Sequence, residues 1–222
     1  MLQILKKIYW KIRNYTQRTY KRMMIYKKDL VNKLKFGWSA PLYNERIWVD
    51  PRKIEFMIDR KEVKRITGLH RNKASGVIVN WSEVNDINPI TDDFRIRYCY
   101  EHWKENKSWK ELGVIEYMSN TSKYGSWPRK KIAGRFEMLD QAFQETKNEG
   151  RLKTREELDP SNFRESEGVL VHIGTDGELF FGGNGFHRLA IAKVLELKKI
   201  PACVGLVDRN ALGYLDKYRN PN

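Results

Sequence analysis

Ile4, Ile8, Ile12, Tyr15, Met23, Tyr26, Leu30 and Leu34 recur at helical steps. At 100° per residue they fall in one stripe of about 120°. The spacing predicts a single helix over residues 3–36, about 50 Å long if straight, with Gly37 as its natural stop. Arg22 and Lys33 intrude on the stripe. Ser39-Ala40-Pro41 opens a linker, and Arg46–Val49 reads as a short strand. Asp50-Pro51 has the pattern of an N-cap followed by proline at the first helical position, with Ile54 and Ile58 as buried contacts of that helix. Residues 59–75 are polar without a clear period; Gly76-Val77-Ile78-Val79 reads as a second strand, and Asn88-Pro89 as loop.

Residues 94–149 read as mostly helical. Ser108-Trp109-Lys110-Glu111 fits a capping box, and Pro128 opens a helix that Gly150 closes. Its stripe, Ile132, Phe136, Leu139 and Phe143, has the spacing of a buried face. Thr154 to Glu157 offers a second capping box. The last third is the most legible. Gly168–Gly174 reads as a strand, Thr175-Asp176-Gly177 as a tight turn, and Glu178–Phe181 as the returning strand. A glycine-rich loop follows, then a helix from about Phe186 to Leu195 and a strand over Ile200–Val207. The fold class expected is α+β: a small mixed sheet, a mostly helical insertion over about 80–165, and a long amphipathic N-terminal helix.

Composition sharpens this picture mainly through charge. The chain of 222 residues is 41% hydrophobic and carries a formal net charge of +14. Residues 1–36 hold 11 Lys or Arg and one acid, Asp29, so most of the excess sits on the first helix. The division expected is a basic arm over 1–38 and a domain over 39–222. No apolar stretch is long enough to span a membrane, and the start lacks the uninterrupted apolar core of a secretory signal. Cys99 and Cys203 have no metal or redox spacing and read as buried thiols of a reducing, cytoplasmic compartment. Three partners compete for the arm: an anionic membrane surface, on the inner face of which the protein would be peripheral; nucleic-acid phosphates; or the body itself or a second copy, making a dimer. Tyr9, Trp10, Tyr20 and Tyr26 beside the lysines favour the membrane.

The candidate chemistry lies in Phe181-Gly182-Gly183-Asn184-Gly185-Phe186-His187-Arg188. Glycines let a backbone approach an anion closely, and a helix N-terminus behind them directs amide groups at the same spot. Residues 182–188 are therefore the expected phosphate site. Arg188 would clamp the phosphate, and His187 would contact it or move a proton. Asp50 reads most simply as an N-cap. His172 reads as a core histidine and Lys193 as solvated. Glu101 and His102 point about 100° apart on a helix and make a poor chelate, so no metal site is expected.

Asn184-Gly185-Phe186-His187-Arg188, then Leu189, Ala192, Leu195-Glu196-Leu197 and Ile200-Pro201, resembles the ParB/sulfiredoxin superfamily over residues 169–207. Ile47-Trp48-Val49-Asp50-Pro51 is similar to the first strand and following helix of that fold, and the likeness to its kinase-like relatives implies Asp50 as a candidate catalytic base or metal ligand. The whole arrangement resembles uncharacterised archaeal and bacterial members with a C-terminal G-x-H-R loop. The resemblance implies a nucleotide, ATP or CTP with Mg²⁺, held on the loop. It also implies either phosphotransfer to a small, glycan or lipid-linked hydroxyl, NTP hydrolysis, or non-catalytic sensing. A nucleic-acid-associated, ParB-like role is the further alternative. Phe186 stands where sulfiredoxin has its cysteine, so sulfinic acid reduction is not implied. Asn184 replaces the acid often found there, and one arginine stands where ParB proteins have two.

Overall fold

The computed structural model describes residues 2–121 and 127–220, with the side chains of residues 2–8, 11–15, 17, 18, 21 and 72 outside the description. Helix α1 runs Leu2–Phe36, as the periodicity predicts. Of its stripe, Ile4, Ile8, Ile12 and Tyr15 have side chains outside the described residues, whereas Met23, Tyr26, Leu30 and Leu34 are exposed. Apart from Tyr26, which meets Phe163 edge-on at 5.9 Å, the helix is held to the body through another face. Asp29 is buried there, accepting the Tyr43 N–H at 2.7 Å and pairing with Arg164 at 2.8 Å. Asn32 donates to the carbonyls of Pro41 at 2.9 Å and Gly76 at 2.7 Å.

The body is α+β, built on a mixed seven-stranded sheet. Its strands are β1 (Arg46–Val49), β2 (Phe56–Ile58), β3 (Ile78–Val79), β4 (Ile87–Pro89), β5 (Val169–Ile173), β6 (Leu179–Phe181) and β7 (Ile200–Asp208). The order is β1-β7-β5-β6-β2-β4, with β3 beside the far end of β7. β5 and β6 form the antiparallel hairpin expected around Asp176-Gly177. β5 and β7 are parallel, and α7 (Phe186–Val194) lies between them in the chain. β7 is buried along its whole length, which accounts for its nearly unbroken apolar sequence.

One face of this sheet packs against α7, α3 (Phe94–Glu105) and α5 (Arg129–Glu149). Ile132 and Phe136 of α5 are enclosed there as the spacing predicts, each burial contributing about 1.5–3 kcal/mol. Beside them the indole N–H groups of Trp103 and Trp109 converge on the Asp140 carboxylate at 3.0 and 2.8 Å. His102 Nε2 reaches the same carboxylate at 2.9 Å, so this histidine belongs to a structural network. The other face carries α2 (Arg60–Thr67) over Ile58, Val63, Ala74, Val84 and Leu206.

Several expectations change. Asp50-Pro51 caps only a single 3-10 turn, Pro51–Lys53; Ile54 and Ile58 are buried, but Ile58 lies on β2. Residues 60–67 form a helix that Asp59 caps and Gly68, at φ 68°, closes; eight residues are too few for a clear period. Asn88-Pro89 lies in strand β4, so the insertion adds to the sheet. Ser108 and Glu111 make their reciprocal bonds, but the helix beyond them, α4, starts at Val114. Thr154 completes the expected capping box on α6 (Arg155–Leu158), and a last helix, α8, spans Leu212–Arg219. Both cysteines are free and buried, and burial pushes the Cys203 thiol up to about 12. Among the described residues no helix is long and apolar enough to cross a membrane.

Candidate functional site

The loop between β6 and α7 is shaped by close packing as much as by conformation. A Cβ on Gly182 would lie 2.7 Å from Leu170 and 2.9 Å from His172 Nε2, so this glycine makes room for side chains of β5. Gly183 and Gly185 have φ of 74° and 83°, a region that only glycine occupies readily. Gly185 is also pressed against the backbone of Val169, where a Cβ would approach to 2.8 Å. Asn184 ties the loop to the start of β5: its side-chain amide donates to Gly168 O at 3.0 Å, and its carbonyl accepts the Leu170 N–H at 3.0 Å. The result is a rigid turn that delivers the chain into α7, whose first-turn amides have no acceptor within the helix.

A cavity of about 600 Å³ opens over this N-terminus. Gly183, Asn184, Gly185, Phe186 and His187 form its floor. Its walls add three guanidinium groups that the loop motif does not announce: Arg71 from the turn after α2, Arg95 from the first turn of α3, and Arg135 from α5. Phe94 and Tyr117, ring centroids 4.5 Å apart, line the same space. Arg95 lies over the Phe186 ring at 3.3 Å from its centroid and forms a bidentate pair with Asp93 at 2.7 and 3.0 Å. Arg71 donates to the Gly183 carbonyl, while its Nε is buried without a hydrogen-bond partner. Burial and the nearby charges of Arg95 and Arg60 hold the Arg71 pKa below its ordinary value. Three guanidinium groups and one carboxylate therefore line the cavity, and that carboxylate, Asp93, is held by Arg95.

His187 stands at the second position of α7, and Tyr98 Oη lies 2.6 Å from its Nε2. Burial, and then Arg135 and Arg95, lower its pKa to about 4, so the ring is neutral near pH 7. Burial raises the Tyr98 pKa, so its hydroxyl stays protonated. If the Tyr98 hydroxyl donates to Nε2, the imidazole carries its proton on Nδ1. In this arrangement His187 offers the cavity a hydrogen-bond donor.

Arg188 contributes to the cavity wall, but its guanidinium is engaged elsewhere. It donates to Lys153 O at 2.5 Å and lies 3.9 Å from the fully buried Glu165 carboxylate. A buried carboxylate is a stronger draw than an open loop, and the expected phosphate clamp is in this geometry a structural pair. Asp50 is not brought to the loop. Lys193, near the C-terminal end of α7, donates to the carbonyls of Pro51 and Ile54 at 3.0 and 2.9 Å, placing the Asp50 turn at the far end of that helix. Nine helical residues separate the two ends by about 12 Å. The Asp50 carboxylate is bound by Arg52 at 2.7 Å, and Lys193, expected in solvent, is half-buried.

The donor set fits phosphate better than a metal. Asp93 is the one acidic residue lining the cavity among the described residues, and Arg95 holds it. No group of three His, Cys, Asp or Glu side chains able to hold a metal is found among the described residues. Comparison with family models, curated proteins and solved structures gives no significant match to this chain.

The buried histidines make stability depend on pH. His172 accepts the Leu206 N–H on Nδ1 at 2.7 Å, and complete burial lowers its pKa to about 3. For both His172 and His187 the folded pKa lies below the unfolded value, so the unfolded chain binds more protons between these limits. Stability is then full above about pH 6.5 and falls as pH drops toward 4 and 3. The expected loss is roughly 2 kcal/mol per histidine at pH 5. Thermal melts at pH 7.5 and pH 5 measure it; equal midpoints would contradict the burial of these two rings in neutral form.

Proposed function

We propose that the protein binds a nucleoside triphosphate, ATP or CTP, or a comparably phosphorylated ligand, at the mouth of α7. The observation that carries this reading is the convergence of Arg71, Arg95 and Arg135 on the cavity above the Gly183–His187 turn. An anion there meets charge-assisted donors and helix amides together, and its binding relieves repulsion among the cations. Phe94 and Tyr117 offer aromatic surface to a base. The volume suits a ligand of nucleotide size.

Phosphoryl transfer to a hydroxyl is the reaction such a site favours. The bond from phosphorus to the leaving phosphate breaks, a bond to the acceptor oxygen forms, and the hydroxyl proton passes to solvent or a phosphate oxygen. A loose transition state asks more of positioning and positive charge than of a base. Arg71 and Arg135 would hold the charge that shifts, and His187 Nδ1–H would orient an oxygen. A second reading, a sensor that binds nucleotide without turnover, is favoured by the engagement of Asp93 with Arg95. Thermal-shift measurements across ATP, CTP, GTP and nucleotide sugars test the common premise. A ligand at a hundred times its Kd stabilises the folded chain by about 2.7 kcal/mol, or roughly 5–10 °C for a chain of this size. No shift with any phosphorylated ligand would reject both readings; a shift without product over hours would select the sensor.

A further inference from the structure

We infer that the outward face of α1 is a docking surface for an anionic lipid bilayer. The inference does not depend on what occupies the cavity over α7.

A helix on a soluble domain ordinarily turns its apolar stripe inward. Here the order is reversed. The body holds α1 through the Asp29 carboxylate and the Asn32 amide on one side of its last turns, with Tyr26 edge-on to Phe163 at the flank. Met23, Leu30 and Leu34 point the other way and are 65%, 57% and 78% exposed. At 100° per residue their mean direction lies roughly 150° from that of Asp29 and Asn32. Tyr20 continues the exposed surface toward the N-terminus, and Trp38, 84% exposed, follows just beyond the helix. The docked side and the offered side are therefore nearly opposite, and the body does not shield the apolar ridge.

Charge identifies the occupant. Residues 1–36 contain a single acid, Asp29, and it is the residue turned inward and paired with Arg164. Among the described residues, the solvent-facing surface of α1 thus presents cations and no carboxylate of its own; Lys27 is exposed beside the ridge and Lys35 on its flank. Cations beside an apolar strip match a membrane interface. The strip enters the headgroup boundary while each Lys or Arg near anionic headgroups gains about 1 kcal/mol. A nucleic-acid backbone would take the cations but leave Met23, Leu30 and Leu34 in water. A second copy would cover the strip but bring the same excess of positive charge against it. An anionic bilayer satisfies both halves of the surface. The helix would lie along the interface, consistent with a hydropathy too low for crossing it.

The test is co-sedimentation of the full chain with vesicles of phosphatidylcholine alone and of phosphatidylcholine mixed with phosphatidylserine. Binding is expected on the mixed vesicles, weak on the neutral ones, and reduced by high salt. The double variant Leu30→Glu/Leu34→Glu should lose at least tenfold in vesicle affinity with an unchanged melting temperature, because both side chains stand in solvent. Three results would overturn the proposal. One is equal binding to both vesicle types. Another is retention of duplex DNA without vesicle binding. The third is a dimer in sedimentation velocity that the double variant dissolves while vesicles bind neither form. If the double variant melts lower, Lys27→Glu/Lys35→Glu provides the same test: with about 1 kcal/mol lost per cation, binding to the mixed vesicles should weaken at least tenfold, and unchanged binding would overturn the proposal.

Discussion

Replacing Arg71 and Arg135 together by alanine should remove nearly all phosphorylated-ligand binding and leave the folded protein intact. Hydrogen bonds from a guanidinium to an anion contribute about 1.5–3 kcal/mol each. Losing both residues therefore costs roughly 3–6 kcal/mol of binding, from about a hundredfold to about ten-thousandfold in Kd. Removing Arg71 relieves an unfavourable cation, because burial and the charges of Arg95 and Arg60 hold its pKa down, and a thermal melt of the double variant checks that it folds. Calorimetric titration of the wild type and the double variant measures the loss. Full affinity in the double variant would remove the basis for a phosphate site. Arg188→Ala supplies the contrast. Because its guanidinium is held by Lys153 O and Glu165, the variant should lower the melting temperature more than it weakens ligand binding.

Glu165→Ala should be the most damaging single substitution outside the apolar core. The carboxylate is completely buried and accepts from Arg46 Nε at 3.0 Å and from the Arg155 N–H at 3.1 and 3.2 Å, with Arg188 at 3.9 Å. It joins β1, α6 and the first turn of α7, and Gly168 has no side chain where the Glu165 chain passes: a Cβ there would lie 2.8 Å away. Removing it leaves Arg188 in a buried site without its counter-charge. Breaking one side of such a pair costs about 3–5 kcal/mol, which for a chain of this length lowers the melting temperature by roughly 6–20 °C. Arg46 retains Glu156 at 3.0 Å, which holds the loss toward the lower end of that range. Glu165→Gln, still able to accept hydrogen bonds, should fall between. Urea unfolding of the three proteins measures the effect; a loss below 1 kcal/mol for Glu165→Ala would show that Arg188 does not depend on this partner.

Both predictions rest on residues that the sequence leaves undistinguished. Gly183-Asn184-Gly185-Phe186-His187 could be located as a turn into a helix because glycine conformations and helix caps are local properties. Arg71 could not be singled out: it is one of 42 Lys and Arg, it sits in a polar segment without period, and it reaches the loop only because the tertiary fold lays the turn after α2 beside Gly183. Arg95 and Arg135 lie on legible helices, but which side of each faces the loop depends on how α3 and α5 pack. Arg188 shows the converse. Its place beside the loop was legible, whereas its direction was set by Glu165, 23 residues earlier in the chain.

By itself the sequence determined the elements whose signals are local. These are the 35-residue α1, the β5–β6 hairpin, the glycine turn into α7, the capped α5 and α6, and the buried faces of α5 and β7. Each follows from periodicity, a cap or a φ that a few neighbouring residues impose. Only the tertiary structure decided the sheet order, the cation-lined cavity, the burial that keeps His187 neutral, the removal of Asp50 to the far end of α7, and the face of α1 that meets the body. The physical reason is shared. Periodicity states that a face is apolar, but what covers it, and which charge another charge meets, is settled by contacts between segments distant in the chain. For α1 that contact is a buried Asp29 on Arg164, and it turns the apolar stripe to the outside.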